Sequence, residues 1–395
     1  MRILMISDVY FPRINGVSTS IQTFRSELAK LGNEVYLLAP AYDEPFADDN
    51  KIIRIESRGV LLDPEDRMMK LGKLLLQVEA LKQLDFDLVH VHTPFVAHYG
   101  GVRIAKALEI PCVTTYHTLF EEYFYHYVPW LPKQLLRYVA RRFSVSQCNE
   151  VDGVISPSSM ILDLLKQYGV TTKMQTLPTG IDSLAFKNGD GAQFRKDFNL
   201  PAGKKLLVNV SRVAFEKNIS AIIEAFAFLL TTRKDTHLVI AGEGPAKKHY
   251  IELTAKLNLQ QSVSFVGYLD RSTQLVDCYH AADVFVFASK TETQGLVLLE
   301  AMAAGTPVVS VAEMGTKNVL KEGRGVRITN GSAKDFAAKI TEVLDDPAVY
   351  SQLTQSAIAY AAEWDSLNLA KKLEDYYVEI RRENQIDHPL KIEQC

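Results

Sequence analysis

Residues 283–312, DVFVFASKTETQGLVLLEAMAAGTPVVSVA, carry the pattern of a strand, a loop, a helix and a second strand. The outer runs, DVFVFAS and PVVSVA, are rich in β-branched and aromatic residues, which is typical of strands buried on both faces of a parallel sheet. Between them, GLVLLEAMAAG predicts a helix that begins at Gly295 and ends at Gly305, just before Pro307. Two strands joined through a helix are the building unit of α/β folds.

The same alternation runs through the whole chain. Further strand candidates are RILMIS, EVYLLAP, DLVHVH, PCVTTYH, GVISPS and MQTLPTG in the first half, and LLVNVS, HLVIAG and SVSFVGY in the second. A polar, glycine-bearing segment, residues 183–205, separates the two series. The sequence therefore predicts two doubly wound α/β domains that face one another, with ligands bound by the loops after the strands.

Length and composition limit the functional classes. The chain has 395 residues, which suits two α/β domains, and a net charge of −3, which does not favour nucleic acid as a partner. Its four cysteines form no C-x-x-C pair, which disfavours disulfides or a zinc site and fits a reducing cytoplasm. MRILMISD is interpreted as a first strand rather than a signal peptide. Without an apolar run of about 20 residues, we expect any membrane contact to be peripheral.

Two cations follow the strand LLVNV in the segment SRVAFEKN. Arg212 and Lys217 stand at a predicted strand end with a helical pattern just beyond, an arrangement that favours a bound phosphate. A solvated surface pair is the alternative. On the first domain, Asn15–Gly16 precedes a helix for which Ser18 is the expected cap, and the amides there can receive an anion. A plain strand-to-helix turn explains this loop equally well.

Two carboxylates flank the start of the helix at residue 295. Glu292 lies in the loop before it, and Glu300 lies inside its apolar run, where a buried carboxylate needs partners such as ribose hydroxyls. The amides of Gln294, Gly295 and Leu296 lie at the positive end of this helix, where they can hold a diphosphate. A structural capping role for Glu292 is the alternative.

These motifs together resemble the family 4 retaining glycosyltransferases. The resemblance rests on Glu292 and Glu300 in an E-x7-E pattern, on SRVAFEKN, and on the motifs NGV at 15–17, PTGID at 178–182, GEGP, FVGYL and a late tryptophan. It implies the GT-B fold, two Rossmann-like doubly wound domains with an intervening cleft. The implied domains are residues 1–183 plus a returning C-terminal helix, 365–395, and residues 184–364.

The resemblance also implies roles for individual residues. Arg212 and Lys217 would bind the diphosphate of a nucleotide sugar, Glu300 its ribose, and Glu292 the hydroxyls of the transferred sugar, which His117 would contact from the first domain. Residues implied at the rest of the nucleotide-sugar site are Gly16, Gly242, Val266, Tyr268, Gln294, Gly295 and Leu296. TQGL stands where many members have GFGL, so the contact at Gln294 differs. No metal or other cofactor is required.

The acceptor is suggested by TYHTLFEEYFYHYVPWLPKQLLRYVARRFS, residues 115–144. Aromatic side chains there precede four basic residues on an amphipathic pattern, Lys133, Arg137, Arg141 and Arg142, which suits the surface of an anionic membrane. Core aromatics and a wet basic helix face explain the pattern about equally well. YHT-x-F-E-E-Y followed by HY-x-P is similar to the diacylglycerol α-glucosyltransferase branch of the family. That likeness implies a lipid acceptor at the cytoplasmic membrane face and UDP-glucose, or a similar UDP-sugar, rather than a GDP-sugar.

Other interpretations stay open at this stage. A related transferase would use a GDP-mannose or UDP-sugar donor and a soluble or polyprenyl-linked acceptor, and a non-catalytic sensor would bind the nucleotide sugar without transfer. A dinucleotide-dependent oxidoreductase is disfavoured because Lys247 stands where the fingerprint after the strand HLVIAG needs its third glycine. His90 and His92 share one strand face but have no third ligand at suitable spacing, so we interpret them as packing residues rather than a metal site.

Overall fold

The computed structural model describes residues 1–43, 47–60, 63–117 and 133–387. The chain forms two compact units. The first unit comprises Met1–Gly180 together with the C-terminal segment from Ser366, and the second comprises Ile181–Asp365. Most of the aromatic segment on which the acceptor prediction depends, residues 118–132, lies outside the described residues.

The first unit is built on a seven-stranded parallel sheet. The strands of this unit are β1 (Arg2–Ile6), β2 (Glu34–Pro40), β3 (Ile52–Ile55), β4 (Ser57–Val60), β5 (Asp63–Met69), β6 (Leu88–Val91), β7 (Cys112–Thr115), β8 (Gly153–Ser156) and β9 (Met174–Thr176). The sheet has the order β3-β2-β1-β6-β7-β8-β9, and β4 pairs antiparallel with β5 beside it.

Helices connect these strands and cover the sheet. They are α1 (Gly16–Lys30), α2 (Leu71–Leu75), α3 (Val78–Lys82), α4 (Val96–Leu108), α5 (Lys133–Cys148) and α6 (Ser159–Tyr168). The expected cap of α1 was wrong by three residues: the side chain of Asn15, not that of Ser18, caps the helix by accepting from the Ser18 amide at 2.9 Å. An asparagine is as good a cap as a serine, and it lies one residue before the helix begins.

The second unit has a six-stranded parallel sheet of order β12-β11-β10-β13-β14-β15. Its strands are β10 (Lys205–Val210), β11 (Thr236–Ala241), β12 (Val263–Gly267), β13 (Val284–Phe287), β14 (Val308–Ser310) and β15 (Val326–Ile328). Its helices are α7 (Gly191–Asp197), α8 (Ile219–Leu229), α9 (Lys247–Lys256), α10 (Gln274–Ala281), α11 (Leu296–Ala303), α12 (Thr316–Val319), α13 (Ala333–Asp345) and α14 (Pro347–Ala362).

Alternate residues of each strand enter cores on opposite faces of the second sheet. Leu206 and Val208 of β10 belong to one core, whereas Leu207 between them belongs to the other. Both faces of this central strand are therefore covered, which explains why its sequence is a near-continuous apolar run. Among the described residues, no helix is long and apolar enough to span a membrane.

A final helix, α15 (Ser366–Asp387), completes the first unit rather than the second. It packs on α1, and its Tyr376 and Tyr377 are fully buried in the core of the first sheet. Lys173 bridges Glu379 and Glu383 of this helix at 2.6 and 2.5 Å. The last described helix thus packs in the unit that the N-terminal residues form.

Both sheets have a topological switch point, where the strand order reverses. It lies between β1 and β6 in the first unit and between β10 and β13 in the second. Ligands of open α/β sheets bind at the carboxyl ends of the strands at such points. The loops after β10 and β13 carry Arg212, Lys217 and Glu292, and the loops after β6 and β7 carry His92 and His117.

Candidate active site

The cationic loop after β10 folds back on the end of β13. A short 3-10 turn, Phe215–Lys217, leads into Asn218, whose left-handed backbone (φ 52°) turns the chain into α8. The Asn218 side-chain amide donates to the carbonyl of Ala288 at 3.2 Å. This bond fixes the loop across the switch point, so that Lys217 faces the loop after β13.

Lys217 and Glu292 form an ion pair in the second unit. The Lys217 Nζ atom lies 2.6 Å from Glu292 Oε1, and the two side chains are 21% and 15% exposed. Arg212 is also mostly buried, at 14% exposure, with Nη1 3.5 Å from Glu216 Oε1. Arg212 and Lys217 are therefore not a solvated surface pair. They are partly desolvated cations at a strand end, where attraction for an anion is stronger than in water.

Glycines hold the neighbouring GEGP loop against the cationic loop. Gly242 has a positive φ of 126°, and a methyl group there would lie 2.0 Å from the carbonyl oxygen of Ser211. The Val213 amide donates to the carbonyl of Glu243 at 2.8 Å. The two loops therefore approach backbone to backbone, which a side chain at 242 would prevent. The structure gives Gly242 a packing role. Helix α9 begins at Lys247, two residues after the proline of GEGP, where the GEGP pattern alone predicts a helix from Pro245.

Glu300 is buried inside α11 and already has protein partners. It is 2% exposed, accepts from Arg271 at 2.5 Å through Oε1, and accepts from the hydroxyl of Tyr279 at 2.8 Å through Oε2. The carboxylate therefore does not depend on a ligand for its partners. Each oxygen retains acceptor capacity for a hydroxyl. Sequence reasoning missed Arg271, since its loop after β12 has no periodicity or motif that singles it out.

The start of α11 presents backbone amides without a side-chain cap. Gly295 is the N-cap, with a left-handed backbone (φ 94°), and α11 begins at Leu296. Gln294 just before it is 5% exposed. An N-cap glycine supplies no oxygen to the first amides, so they are suited to an oxyanion. At the end of β12, Tyr268 is 41% exposed and Val266 is half-buried.

His117 follows β7 and contacts a second histidine from the neighbouring strand. Its Nε2 lies 3.2 Å from Nδ1 of His92, and the two rings stack with centroids 5.5 Å apart. Burial lowers the pKa of His117 to about 4 and holds the pKa of His92 well below its ordinary value. Both rings are therefore neutral at pH 7. A neutral imidazole can donate one hydrogen bond and accept another, but it supplies no charge.

Gly16, the other predicted residue of the first unit, lies at the beginning of α1. It is exposed, and a methyl group there would meet no atom within 4 Å among the described residues. Packing therefore does not require a glycine at this position. Close approach of a ligand to the α1 amides remains the prediction for it.

A buried carboxylate also lies at the switch point of the first sheet. Asp8, just after β1, accepts from the hydroxyl of Thr93 at 3.0 Å and from the Ala97 amide at 2.9 Å. Burial raises the pKa of Asp8 to about 6. Asp8 thus ties the loop after β1 to the start of α4. Among the described residues, no group of histidine, cysteine, aspartate and glutamate side chains could hold a metal ion.

Comparison with known proteins gives the family. The profile described as Glycosyltransferase Family 4 matches residues 14–183, and the profile described as Glycosyl transferases group 1 matches residues 190–364. Alpha-monoglucosyldiacylglycerol synthase of Streptococcus pneumoniae is 34% identical over 388 residues, which cover 96% of this chain and 86% of that protein. The protein of the same name from Acholeplasma laidlawii is 26% identical, covering 97% of this chain and 98% of that one.

Solved structures agree on the fold. Sucrose-phosphate synthase from Thermosynechococcus elongatus has a TM-score of 0.78 at 22% identity and covers 97% of this chain and 99% of that one. HepE from Anabaena, in complex with UDP-glucose, has a TM-score of 0.74 at 18% identity and covers 96% and 100%. The predicted fold class, with two parallel Rossmann-like sheets, is confirmed. The chain belongs to glycosyltransferase family 4 and is a glycosyltransferase of the GT-B fold.

Proposed function

We propose that this enzyme transfers glucose from UDP-glucose to diacylglycerol, with retention at the anomeric carbon, at the cytoplasmic face of the membrane. The observation that carries the proposal is the 34% identity to an alpha-monoglucosyldiacylglycerol synthase across 96% of this chain. The local geometry supports a nucleotide-sugar donor in the second unit. No step of the proposal needs a metal ion.

The Lys217–Glu292 ion pair supports a specific sequence of events on donor binding. A pyrophosphate carries more negative charge than one carboxylate, so it competes with Glu292 for the Nζ of Lys217. Loss of this partner frees Glu292 oxygens to accept from the hydroxyls of the sugar. Arg212 and the amides at the start of α11 add further positive potential for the phosphates. The pair thus fills the phosphate position until the donor displaces it.

The ribose and base of the nucleotide are assigned to α11 and to the end of β12 in the same unit. Glu300 accepts from the ribose hydroxyls, while Arg271 and Tyr279 hold its carboxylate in place. Val266 and Tyr268 flank the base, and the exposure of Tyr268 suits a side chain that closes over a flat ring.

The reaction is a single displacement on one face of the sugar. The acceptor oxygen bonds to the anomeric carbon as the bond to the β-phosphate oxygen breaks, and the proton of the acceptor hydroxyl passes to that leaving oxygen. Arg212, Lys217 and the helix amides stabilise the charge that develops on the diphosphate, which is an electrostatic form of catalysis. His117 in the first unit is assigned to the hydroxyls of the transferring sugar.

Helix α5 supports peripheral membrane association. Leu135, Tyr138 and Val139 are 50%, 58% and 49% exposed, and their spacing places them on one face of the helix. The guanidinium of Arg142 lies 5.9 Å from the ring centroid of Tyr138. Apolar and aromatic side chains beside cations are suited to the headgroup region of an anionic membrane.

A donor and acceptor panel tests the proposal. Purified enzyme is incubated with radiolabelled UDP-glucose, UDP-galactose or GDP-mannose, and with vesicles that contain diacylglycerol. We expect labelled lipid and released UDP with UDP-glucose. Absence of labelled lipid with every donor would contradict the lipid acceptor, and product formed only on a soluble or polyprenyl-linked saccharide would favour the related transferase.

A flotation assay tests the membrane contact separately. Neutralising Arg137, Arg141 and Arg142 together should reduce the affinity for anionic vesicles roughly a hundredfold, at about 1 kcal/mol per cation near the surface. Lys196, Lys234 and Lys256, exposed residues of the second unit, provide a control when changed together to alanine, because they remove the same charge without altering α5. Equal flotation of the two variants would reject α5 as the contact.

A further inference from the structure

Three histidines form a row across β6 and the end of β7. His90 and His92 are 0% and 1% exposed, with ring centroids 3.9 Å apart. His90 is held through both nitrogens, by the hydroxyls of Tyr377 at 2.6 Å and Thr115 at 2.7 Å. It is a packing residue, as its sequence pattern indicated. His92 differs, because the only hydrogen bond of its side chain among the described residues is with His117.

The hydrogen bond between His92 and His117 has two possible directions. One ring donates from its nitrogen to the other, and each neutral ring carries a single N–H. If His117 donates from Nε2, the proton of His92 must reside on its own Nε2. That nitrogen is buried and has no partner among the described residues, so this direction leaves a buried N–H donor without an acceptor.

The opposite direction of the hydrogen bond leaves only a buried lone pair without a partner. If His92 donates from Nδ1, its Nε2 carries no proton, and a buried acceptor without a partner is tolerated better than a buried N–H donor. His117 then accepts at Nε2, so its own proton must reside on Nδ1. Because His117 as a residue is half-buried rather than fully enclosed, we infer that this N–H belongs to the part of the site that a ligand can reach.

We propose that His92 is a positioning residue that holds His117 in the tautomer protonated on Nδ1 and makes its Nδ1–H a fixed hydrogen-bond donor. This inference rests on the proposed function, in which His117 contacts the transferring sugar. A donor at that position selects an oxygen acceptor, such as a sugar hydroxyl. The low pKa of both rings keeps the donor neutral, so it orients the sugar without adding charge.

The first test measures the tautomer directly. Long-range nitrogen–proton NMR correlations on histidine-labelled, otherwise intact enzyme at pH 7 distinguish protonation on Nδ1 from protonation on Nε2, and H117A assigns the signal. We expect His117 to carry its proton on Nδ1 in the ligand-free enzyme. A proton on Nε2 overturns the proposal whatever the enzyme transfers, so this outcome is separate from failure of the proposed function.

Substitutions then connect the tautomer to turnover. H92L removes the donor, and we expect the His117 signal to become a mixture of tautomers and kcat to fall at least about tenfold, as for other residues that orient a site group. H92N places an amide at the Nδ1 position and should restore most of kcat. H90Q is the matched control: it alters the adjacent ring and should lower stability while leaving the His117 tautomer unchanged.

The outcomes separate the two claims. An unchanged His117 signal or an unchanged kcat in H92L overturns the positioning role. If the tautomer behaves as expected but H117Q transfers sugar at the wild-type rate, the placement of His117 at the sugar fails, and with it the functional part of this inference. If H92L does not fold, the wild-type spectrum and H92N still decide the matter.

Discussion

At the scale of single residues, the Lys217–Glu292 ion pair connects folding to donor binding. Lys217→Ala removes a partly desolvated cation from the predicted phosphate position and leaves Glu292 without this partner. A hydrogen bond to a charged group is worth about 1.5–3 kcal/mol, so we expect the affinity for UDP to fall roughly tenfold to a hundredfold. Isothermal titration with UDP measures this directly.

The control for this change lies at the opposite end of the same strand. Lys205 forms a 2.9 Å pair with Asp283 at the amino end of β10, and its side chain is 47% exposed. Lys205→Ala should cost at most about 1 kcal/mol of stability and leave UDP binding unchanged. If both variants bind UDP equally, the phosphate role of Lys217 is wrong.

The second prediction at this scale concerns pH. Burial lowers the pKa of folded His117 to about 4, whereas the unfolded chain titrates near 6.5. Above pH 6.5 the ring is neutral in both states and contributes nothing. As pH falls from 6.5 towards 4, only the unfolded state gains the proton, so stability is lost over that window. Between pH 7.5 and 4.5, we expect the free energy of unfolding to fall by about 2 kcal/mol less in His117→Gln than in the wild type.

Measured unfolding free energies of wild type and His117→Gln at pH 7.5 and 4.5 give this difference. The comparison uses the change with pH in each protein, so the effect of the substitution itself cancels. Parallel pH profiles for the two proteins would show that the His117 ring is not buried as described.

At the scale of elements, Gly242 in the GEGP loop and Gly16 at the beginning of α1 should respond differently to the same substitution. Gly242→Ala introduces a methyl group 2.0 Å from the Ser211 carbonyl at a positive φ, so we expect a loss of about 3 kcal/mol of stability. Gly16→Ala meets nothing within 4 Å and should change stability by about 0.5 kcal/mol or less. We nevertheless expect it to lower kcat/KM for the donor about tenfold, because a methyl group keeps a ligand from the α1 amides.

Thermal unfolding and steady-state kinetics of the two variants check this contrast. Full activity of Gly16→Ala would mean that no ligand approaches the start of α1 closely. Wild-type stability of Gly242→Ala would contradict the backbone contact between the GEGP loop and the cationic loop.

The elements that the sequence predicted are those with strong local signals. Every run interpreted as a parallel strand contains one, because strands buried on both faces need continuous apolar residues. β3, β4, β5 and β15 were not predicted, since all four mix polar with apolar residues and all but β5 have only three or four residues. Helix α7 lies in the segment predicted to be a boundary without periodicity.

The candidate site was predictable only where a motif carries it. Lys217 and Glu292 are 75 residues apart and are brought together at a switch point, which the order of strands implies. Arg271 and the contact of His92 with His117 were missed. Each depends on a side-chain direction in a loop or across two adjacent strands, and spacing along one strand does not report it.

At the scale of the whole molecule, the two units have separate cores, and one of them is completed by the end of the chain. The buried Tyr377 belongs to the core of the first unit and donates or accepts a 2.6 Å hydrogen bond with His90. The buried Tyr360 belongs to the second unit and donates to the carbonyl of Val319 at 2.7 Å. Substitutions at these two tyrosines therefore act on different units.

Calorimetry of the full chain tests this division and the placement of the donor together. Tyr377→Ala should lower the unfolding transition of the first unit, and Tyr360→Ala that of the second, each by about 3–5 kcal/mol because a large buried ring is lost. UDP stabilises only the unit that binds it, by about 2.7 kcal/mol at a concentration 100 times Kd. We therefore expect UDP to raise the transition that Tyr360→Ala lowers and to leave the one that Tyr377→Ala lowers unchanged. A UDP shift confined to the transition sensitive to Tyr377 would place the nucleotide in the first unit and remove Arg212, Lys217 and Glu300 from the donor site.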